Sequence, residues 1–277
     1  MTFILQNFCT YIIKSDSESM DFQSTNPLNT WLNLLSGNLL PITENSSFPL
    51  FWKIHSAFVW LLELIYIVTF VPAYFLVPKD MSDGLNGSVI IDASDMLLEY
   101  FQIFAQITLV KELIRKLNKA LSIEDENMRH IVIMNLKPLK IPFTIYLVTG
   151  IFIAFSWLCM PFLLIFEKST FYYTDYKIPA IFSKEPFSVG VFLLGNVIIL
   201  LNGVYVFLRK ASLDVYTAHL ISLVSAQYQY VSLRLVLIFR SNEQQDNACC
   251  REHNSKMDFF VAKEIKKLCR QHIDVMK

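Results

Sequence analysis

Two uncharged stretches decide the fold of this chain: IPFTIYLVTGIFIAFSWLCMPFLLIF (residues 141–166) and FSVGVFLLGNVIILLNGVYVFL (residues 187–208). The first has 26 residues and the second has 22. At about 1.5 Å of rise per residue, a helix of either length exceeds a hydrocarbon core of ~30 Å. A helix in a soluble protein keeps a charged face toward water, which neither stretch has. Both therefore predict membrane-spanning helices, with a buried helical hairpin of a soluble protein as the alternative.

Two further stretches are candidate spans. Residues 54–77 are apolar except for one acid, Glu63, which would cost about 2.5 to 3.5 kcal/mol facing lipid at mid-depth. Glu63 is therefore expected to face other helices or the membrane interface. In residues 89–110 three acids crowd the first half, so that only residues 96–110 are long and apolar. The fold class predicted is an all-α membrane protein, a bundle of about four transmembrane helices with long cytosolic helical extensions.

The distribution of basic residues predicts the orientation. With four spans, 20 Lys and Arg lie on the side of both chain ends and 4 lie on the other side, which places both ends in the cytosol. Three spans without residues 89–110 give 19 against 5 and also satisfy the rule. Four are favoured because a translocated 53-residue N-terminal segment without a signal peptide is the harder case. The predicted domains are a cytosolic segment (1–53), a transmembrane bundle (54–208) and a cytosolic helical segment (209–277).

The last predicted span need not end at the membrane. After Gly203 the remaining 74 residues contain neither Pro nor Gly, and an apolar stripe at helical spacing continues. One helix over residues 187–239 would run roughly 80 Å, more than twice the bilayer core. A stripe exposed in the cytosol needs a partner, which is a neighbouring helix of this chain or of another subunit.

Two connecting segments carry further predictions. Residues 111–140 are expected to continue a helix inward, with an apolar face opposite a basic face that suits either anionic lipid headgroups or solvent. The outer loop, residues 167–186, is rich in Tyr and Phe. It is expected either to form an aromatic belt at the headgroup level or to fold back as a lid over a cavity.

The sequence argues against an enzyme. It contains no nucleophile elbow, no phosphate-binding glycine loop and no HExxH motif. The spacing of Cys250 and His253 to Cys269 and His272, with Cys249 adjacent, can be written as a zinc site, but the first pair is predicted in a loop. No metal, no other cofactor and no nucleic-acid partner is predicted.

Several segments resemble insect odorant receptors. They are FYYTDYKIPAIFSKEPFS (residues 171–188), DVYTAHLI (214–221), AQYQY (226–230) and PLNTWLNLLSGNLLP (27–41), the last resembling the cytosolic start of such a receptor. The likeness runs over nearly the whole chain from Met20. It implies a multi-pass plasma-membrane protein with seven spanning helices and a cytosolic N-terminus. It also implies a ligand-gated cation channel that binds a small volatile odorant and assembles with a co-receptor subunit.

The resemblance implies where function lies. The odorant pocket is expected in the outer half of the membrane among helices two, three, four and six, the pore along helix seven, and a shared subunit anchor in the cytosol. This chain is expected to stop after four spans, as a fragment without the pore helix. We expect the anchor to include four residues of the long helix: Tyr216, Leu220, Leu223 and Tyr228.

The depth of the predicted spans selects ligand-binding candidates. They are Leu98 and Gln102 on the second helix, Ala154, Trp157 and Met160 on the third, and Val191 and Leu194 on the fourth. The Trp157 face is favoured because Gly150 and Ala154 leave room beside it. Recognition would rest on shape and burial, at about 25 cal/mol per Å², which implies broad and weak selectivity.

A second class of function competes with the receptor. It is a non-sensing four-helix membrane adaptor or regulatory fragment that acts through its basic cytosolic helices and contacts membrane lipid.

Overall fold

The computed structural model describes residues 20–42, 48–76, 105–122, 125–176, 184–246, 262–263 and 265–266, and only the backbone of residues 70–76 and 241–246. The principal helices are α1 (Phe22–Thr25), α2 (Pro27–Leu35), α3 (Leu50–Leu76), α4 (Ile107–Leu121), α5 (Glu126–Cys159) and α6 (Val189–Asp246). A 3₁₀ segment, Met160–Phe166, extends α5. The described residues form no β-strand, and two of them, Phe171 and Phe187, form an isolated antiparallel bridge. The described chain is all-helical.

Three helical segments are long and apolar enough to cross a membrane: Leu50–Thr69, Glu126–Phe166 and Val189–Arg240. They contain most of the first predicted span, all of the third, and all but the first two residues of the fourth. Many large apolar side chains along these segments are exposed, which suits contact with lipid. Of the predicted second span, residues 89–104 lie outside the described residues. The all-α, membrane-type fold class therefore rests on three helices able to span a bilayer.

The continuity predicted for the last helix is confirmed. α6 is a single helix of 58 residues, which corresponds to about 87 Å at 1.5 Å per residue. It continues well past residue 208 because no Pro or Gly after Gly203 interrupts its backbone hydrogen bonds.

α5 and α6 pack antiparallel along nearly all of α5. Near one end, the Tyr230 hydroxyl donates to Asp125 Oδ2 at 2.7 Å. Near the other end, the Leu158 side chain lies directly over Gly203. The roughly 33 residues between Asp125 and Leu158 span about 50 Å, more than a ~30 Å hydrocarbon core. Part of this helix pair must therefore extend outside the apolar layer if both helices cross it.

The prediction of one continuous helix over residues 111–140 is wrong, because two helices cover this range. α4 ends at Leu121 and a new helix begins at Glu126. Asp125 is the N-cap of α5, since its side chain accepts from the Asn127 backbone N–H at 2.9 Å. Residues 126–140 consequently belong to the third predicted spanning helix. The apolar face of α4 is present as predicted, and its buried residues are Ile114, Leu117 and Leu121.

The N-terminal segment packs into the body of the protein. Phe22 is 1% exposed, and its ring stacks on the His219 ring of α6 with centroids 4.4 Å apart. Its backbone N–H donates to Asn118 Oδ1 of α4 at 2.7 Å. Farther along, the Tyr216 hydroxyl of α6 donates to the Pro41 carbonyl at 2.8 Å. Residues 20–42 therefore tie α4 to α6.

Candidate functional site

The described parts of the loop predicted to be the outer one, residues 167–176 and 184–186, fold back onto the helices. Phe171 and Phe187 exchange two backbone hydrogen bonds of 3.1 and 3.0 Å, which close the loop at its base, and both side chains are buried. The Lys168 ammonium pairs with Asp175 Oδ1 at 2.5 Å, and the Tyr173 backbone N–H donates to Glu185 Oε1 at 2.5 Å. These polar contacts fix the two described arms of the loop, while residues 177–183 lie outside the described residues.

Four buried rings meet where the loop reaches α6. The rings belong to Phe171, Tyr176, Phe187 and Phe192 and are called the outer aromatic cluster below. Phe171 stacks on Phe192 with centroids 4.1 Å apart, and Tyr176 stacks on Phe187 and on Phe192 at 5.6 and 5.1 Å. These burials show that the described part of the loop folds back onto α6, whereas the cavity predicted beneath it stays a prediction.

The hydroxyl of Tyr176 is the polar end of this cluster. It donates to the Val191 carbonyl at 3.3 Å. Burial raises the pKa of Tyr176 above its usual range, because the phenolate would lose its hydration. The ring is therefore a neutral hydrogen-bond donor in an otherwise apolar surrounding.

Two predicted ligand-binding residues lie against a larger apolar cluster that contains these four rings. Its other buried members are Tyr66, Leu158 and Ile199, and Trp157 of α5 and Val191 of α6 are half-buried against it. Tyr66 belongs to α3, so all three candidate spans meet in this cluster. Tyr66 was missed from the sequence, although its spacing of seven and three residues from the buried Val59 and Glu63 marks one helix face.

Three of the other predicted ligand-binding residues are described, and none of them is brought to the cluster. Ala154 is half-buried on α5, one turn before Trp157 in sequence. Met160 and Leu194 are 57% and 64% exposed, so they face away from the described helices. Leu98 and Gln102 lie outside the described residues.

The room expected beside Gly150 is filled. The ring of Phe207 on α6 sits where a side chain on Gly150 would project, and Leu158 occupies the equivalent position over Gly203. The reason given for favouring the Trp157 face is therefore wrong, because the small residues serve close helix packing. The Trp157 face is instead distinguished by its packing against the apolar cluster that contains the outer aromatic cluster.

A buried charged site lies between α3 and α6. Glu63 is 5% exposed and Arg209 is 1% exposed, and the Arg209 Nη1 pairs with Glu63 Oε2. The guanidinium carbon lies 3.9 Å from the centroid of the Trp60 ring. Asn38 completes the site, since its Oδ1 accepts from Arg209 Nε and its Nδ2 donates to the Arg209 carbonyl, both at 3.1 Å. The expectation that Glu63 faces other helices is confirmed.

The predicted subunit-anchor residues differ in accessibility. Tyr216 and Leu223 are almost fully buried in the core that this chain forms with Phe22 and α4. Leu220 is half-buried against the same core. Tyr228 is 44% exposed, so of the four it presents the largest surface to another subunit. Tyr216 is used within the chain because Phe22 and Pro41 of the N-terminal segment contact it, and Leu223 is buried in the same core.

The possible zinc ligands, residues 249–250, 253, 269 and 272, lie outside the described residues. Within the described ranges, no group of three or more His, Cys, Asp or Glu side chains could hold a metal ion.

The sequence and structure were compared with models of known families, with curated proteins and with solved structures, and none of them matches this chain.

Proposed function

We propose that this chain is a ligand-binding subunit of an odorant-gated cation channel of the insect odorant receptor type. It sits in the plasma membrane with its N-terminus in the cytosol, binds small volatile apolar molecules and acts with a co-receptor subunit. The observation that carries the proposal is the packing of Trp157 and Val191 against the apolar cluster that contains the outer aromatic cluster. The residues quoted above from the outer loop and α6 support the same family.

The chemistry around Trp157 suits a small apolar ligand. The apolar cluster beside Trp157 is made of aromatic and aliphatic side chains, and its tyrosines, such as Tyr66, carry hydroxyl groups. Such a composition is typical of small-molecule sites, which are mostly apolar with a few orienting polar groups. Burying ~200 Å² of ligand surface would contribute about 5 kcal/mol before the entropic cost of association. Affinity is then modest and selectivity rests on shape.

The continuity of α6 gives a ligand a route to affect distant parts of the chain. Phe192 lies in the outer aromatic cluster, whereas Arg209 and Tyr216 on the same unbroken helix contact the N-terminal segment. A ligand shifts the channel only if it binds one arrangement of these helices more tightly than the other. In this proposal, a tilt of α6 at the outer aromatic cluster changes its contacts beyond Arg209.

The non-sensing adaptor is the second candidate function. It is favoured by the filled space at Gly150 and by the exposed apolar side chains that α6 carries beyond Arg209. These exposed side chains are Ile221, Tyr228, Val236, Leu237 and Phe239. Such a surface fits a partner helix without any ligand.

A binding assay on the isolated chain separates the two functions. The purified chain in nanodiscs is loaded with the fluorescent apolar probe 1-aminoanthracene, which a panel of volatile alcohols, esters and terpenes then displaces. If the chain is a receptor, some members of the panel should displace the probe. Trp157→Ala should then weaken this displacement. Phe155→Ala removes an exposed ring from another face of α5 and should leave displacement unchanged.

A second variant distinguishes a change in the binding site from a loss of folding. Val191→Phe adds volume beside the outer aromatic cluster and should weaken displacement while the chain keeps its helical circular-dichroism spectrum. Co-expression with a co-receptor then tests gating through odorant-evoked current. Assembly with the co-receptor without displacement or current would reject the receptor in favour of the adaptor.

A further inference from the structure

We propose that the segment of α5 just before its apolar span, residues 129–141, binds the headgroups of anionic phospholipids through Lys137 and Lys140. The inference depends on α5 crossing a membrane and not on any odorant-binding role.

The first observation is the arrangement of side chains on α5. Ile133, Lys137, Lys140 and Ile141 recur at intervals of four, three and one residues, which places them on one side of the helix. All four are exposed. The same side continues into the uncharged span, where Ile145 and other exposed apolar residues follow. The two ammonium groups thus lie at the end of a surface suited to lipid tails.

The second observation is the absence of an acidic partner for these lysines within the described residues. Neither Lys137 nor Lys140 has a carboxylate within 4 Å there. The sequence of α5 contains no Asp or Glu in residues 127–166. Its antiparallel neighbour α6 has none in residues 215–242. Neither helix therefore supplies an anion beside Lys137 and Lys140.

The basic residues of α4 provide a contrast within the same chain. Glu112 lies 3.1 Å from the Lys116 ammonium and 3.6 Å from the Arg115 guanidinium. The hydrogen bond and the charge of Lys116 lower the pKa of Glu112, which keeps this carboxylate ionised. α4 as a whole carries four basic residues, Lys111, Arg115, Lys116 and Lys119, and one acid, Glu112. Its Arg115 and Lys116 nevertheless share a carboxylate, whereas Lys137 and Lys140 of α5 have none within 4 Å among the described residues.

The position of the lysines selects lipid as the source of the anion. Lys140 immediately precedes Ile141, the first residue of the uncharged stretch, and Lys137 lies about 4.5 Å farther along the helix axis. Headgroup phosphates and carboxylates lie at this depth beside a spanning helix, and the aliphatic stems of Lys can run along the apolar surface. Basic residues at a membrane surface attract anionic lipid.

The test measures retention of lipid by the full chain. The protein is purified in detergent, titrated with phosphatidylserine or phosphatidylcholine, and examined by native mass spectrometry for bound lipid. The wild-type chain should retain phosphatidylserine in preference to phosphatidylcholine. The Lys137→Gln, Lys140→Gln double variant should need on the order of tenfold more phosphatidylserine for the same occupancy. Lys137→Arg with Lys140→Arg should keep wild-type occupancy, because both charges remain.

A control of equal charge change comes from α4. Arg115→Gln with Lys116→Gln removes two positive charges that already face Glu112 and should leave phosphatidylserine occupancy unchanged. Circular dichroism confirms that each variant remains helical. Unchanged occupancy in the α5 variant, or an equal loss in the α4 variant, would overturn the proposal. Displacement of bound lipid by an equal concentration of soluble glycerophosphoserine would overturn it as well, because the surface would then be a site for free anions.

Discussion

Arg209 of α6 and Glu63 of α3 form an ion pair that is almost completely shielded from solvent, although 146 positions separate them in sequence. Desolvating two charges is costly, so such a pair is retained only where its geometry and its extra hydrogen bonds compensate. Here the Trp60 ring and the Asn38 side chain supply the additional contacts. The pair therefore fixes how α3, α6 and the N-terminal segment meet.

Breaking this pair from one side should be strongly destabilising. Glu63→Gln leaves the guanidinium buried without its counter-charge and should lower the free energy of unfolding by about 3 to 5 kcal/mol. Replacing both partners, Glu63→Leu with Arg209→Met, should recover much of that loss because no buried charge is left unpaired. Denaturant unfolding in detergent measures both changes.

The exposed pair Arg115–Glu112 is the control for that experiment. Glu112→Gln should change the unfolding free energy far less than Glu63→Gln does, since solvent screens a surface pair. A Glu63→Gln variant no less stable than Glu112→Gln would contradict the structural role of the buried pair.

The N-terminal segment is expected to contribute to stability through Phe22. Phe22→Ala removes a fully buried ring between α4 and α6 and should cost about 3 to 5 kcal/mol. Leu35→Ala, on the partly exposed end of α2, should cost much less. Thermal unfolding followed by circular dichroism at 222 nm compares the two, and equal midpoints would mean that the segment does not support the core.

Acid should weaken the contact between Asp125 and α6. The Tyr230 hydroxyl, followed by the Asn127 backbone N–H and the Arg234 charge, lowers the pKa of Asp125 below its usual 3.8. A carboxyl whose pKa is lower in the folded state stabilises the fold above its unfolded pKa, and this stabilisation is lost as the pH falls through the folded pKa. The contribution is therefore present at neutral pH and lost below about pH 4.

Tyr230→Phe tests this dependence. Removing the hydroxyl should raise the Asp125 pKa toward 3.8 and reduce the loss of stability between about pH 5 and pH 2. Tyr228→Phe, two residues away on an exposed side of α6, is the control. If unfolding free energies of the Tyr230→Phe and wild-type chains fall in parallel across this range, the assignment to Asp125 is wrong.

Glycosylation distinguishes the two predicted topologies. The N-glycosylation motifs at Asn45 and Asn86 both lie outside the described residues. The two topologies differ in which of these motifs is translocated across the membrane. With four spans Asn86 is outside and should be modified, so that Asn86→Gln removes a glycan from the chain expressed in microsomes. With three spans the mass change appears instead in Asn45→Gln.

Much of the helical architecture was predictable because it depends on residues close together in sequence. Residues 141–166 and 187–208 are uncharged all round, and the lack of Pro and Gly beyond Gly203 leaves α6 unbroken. The break between α4 and α5 was missed because the N-cap preference of Asp125 was not weighed against the helical pattern on either side.

The sites were harder to predict because they depend on helix rotation and distant contacts. Apolar periodicity predicts the depth of Trp157 along its helix. It does not predict that the Phe207 ring fills the space at Gly150. The composition of the N-terminal segment does not show which of its polar residues are buried, yet Asn29 Nδ2 lies 3.0 Å from His219 Nδ1, 190 positions away. Such polar residues are buried because a remote partner satisfies them, which local composition does not reveal.

Close packing of α5 on α6 should make Gly150 sensitive to a single added methyl group. Gly150→Ala places Cβ against the Phe207 ring, so the helices must separate or the ring must move, at a cost of about 1 to 3 kcal/mol. Gly190→Ala is the matched control, because the nearest atom to its added Cβ is Ser188 Oγ at 4.0 Å and α6 gains a better helix former. Adding Phe207→Leu to Gly150→Ala should restore part of the lost stability, since the smaller side chain makes room for the methyl group. Equal unfolding free energies for Gly150→Ala and Gly190→Ala would show that α5 and α6 do not approach each other closely at this point.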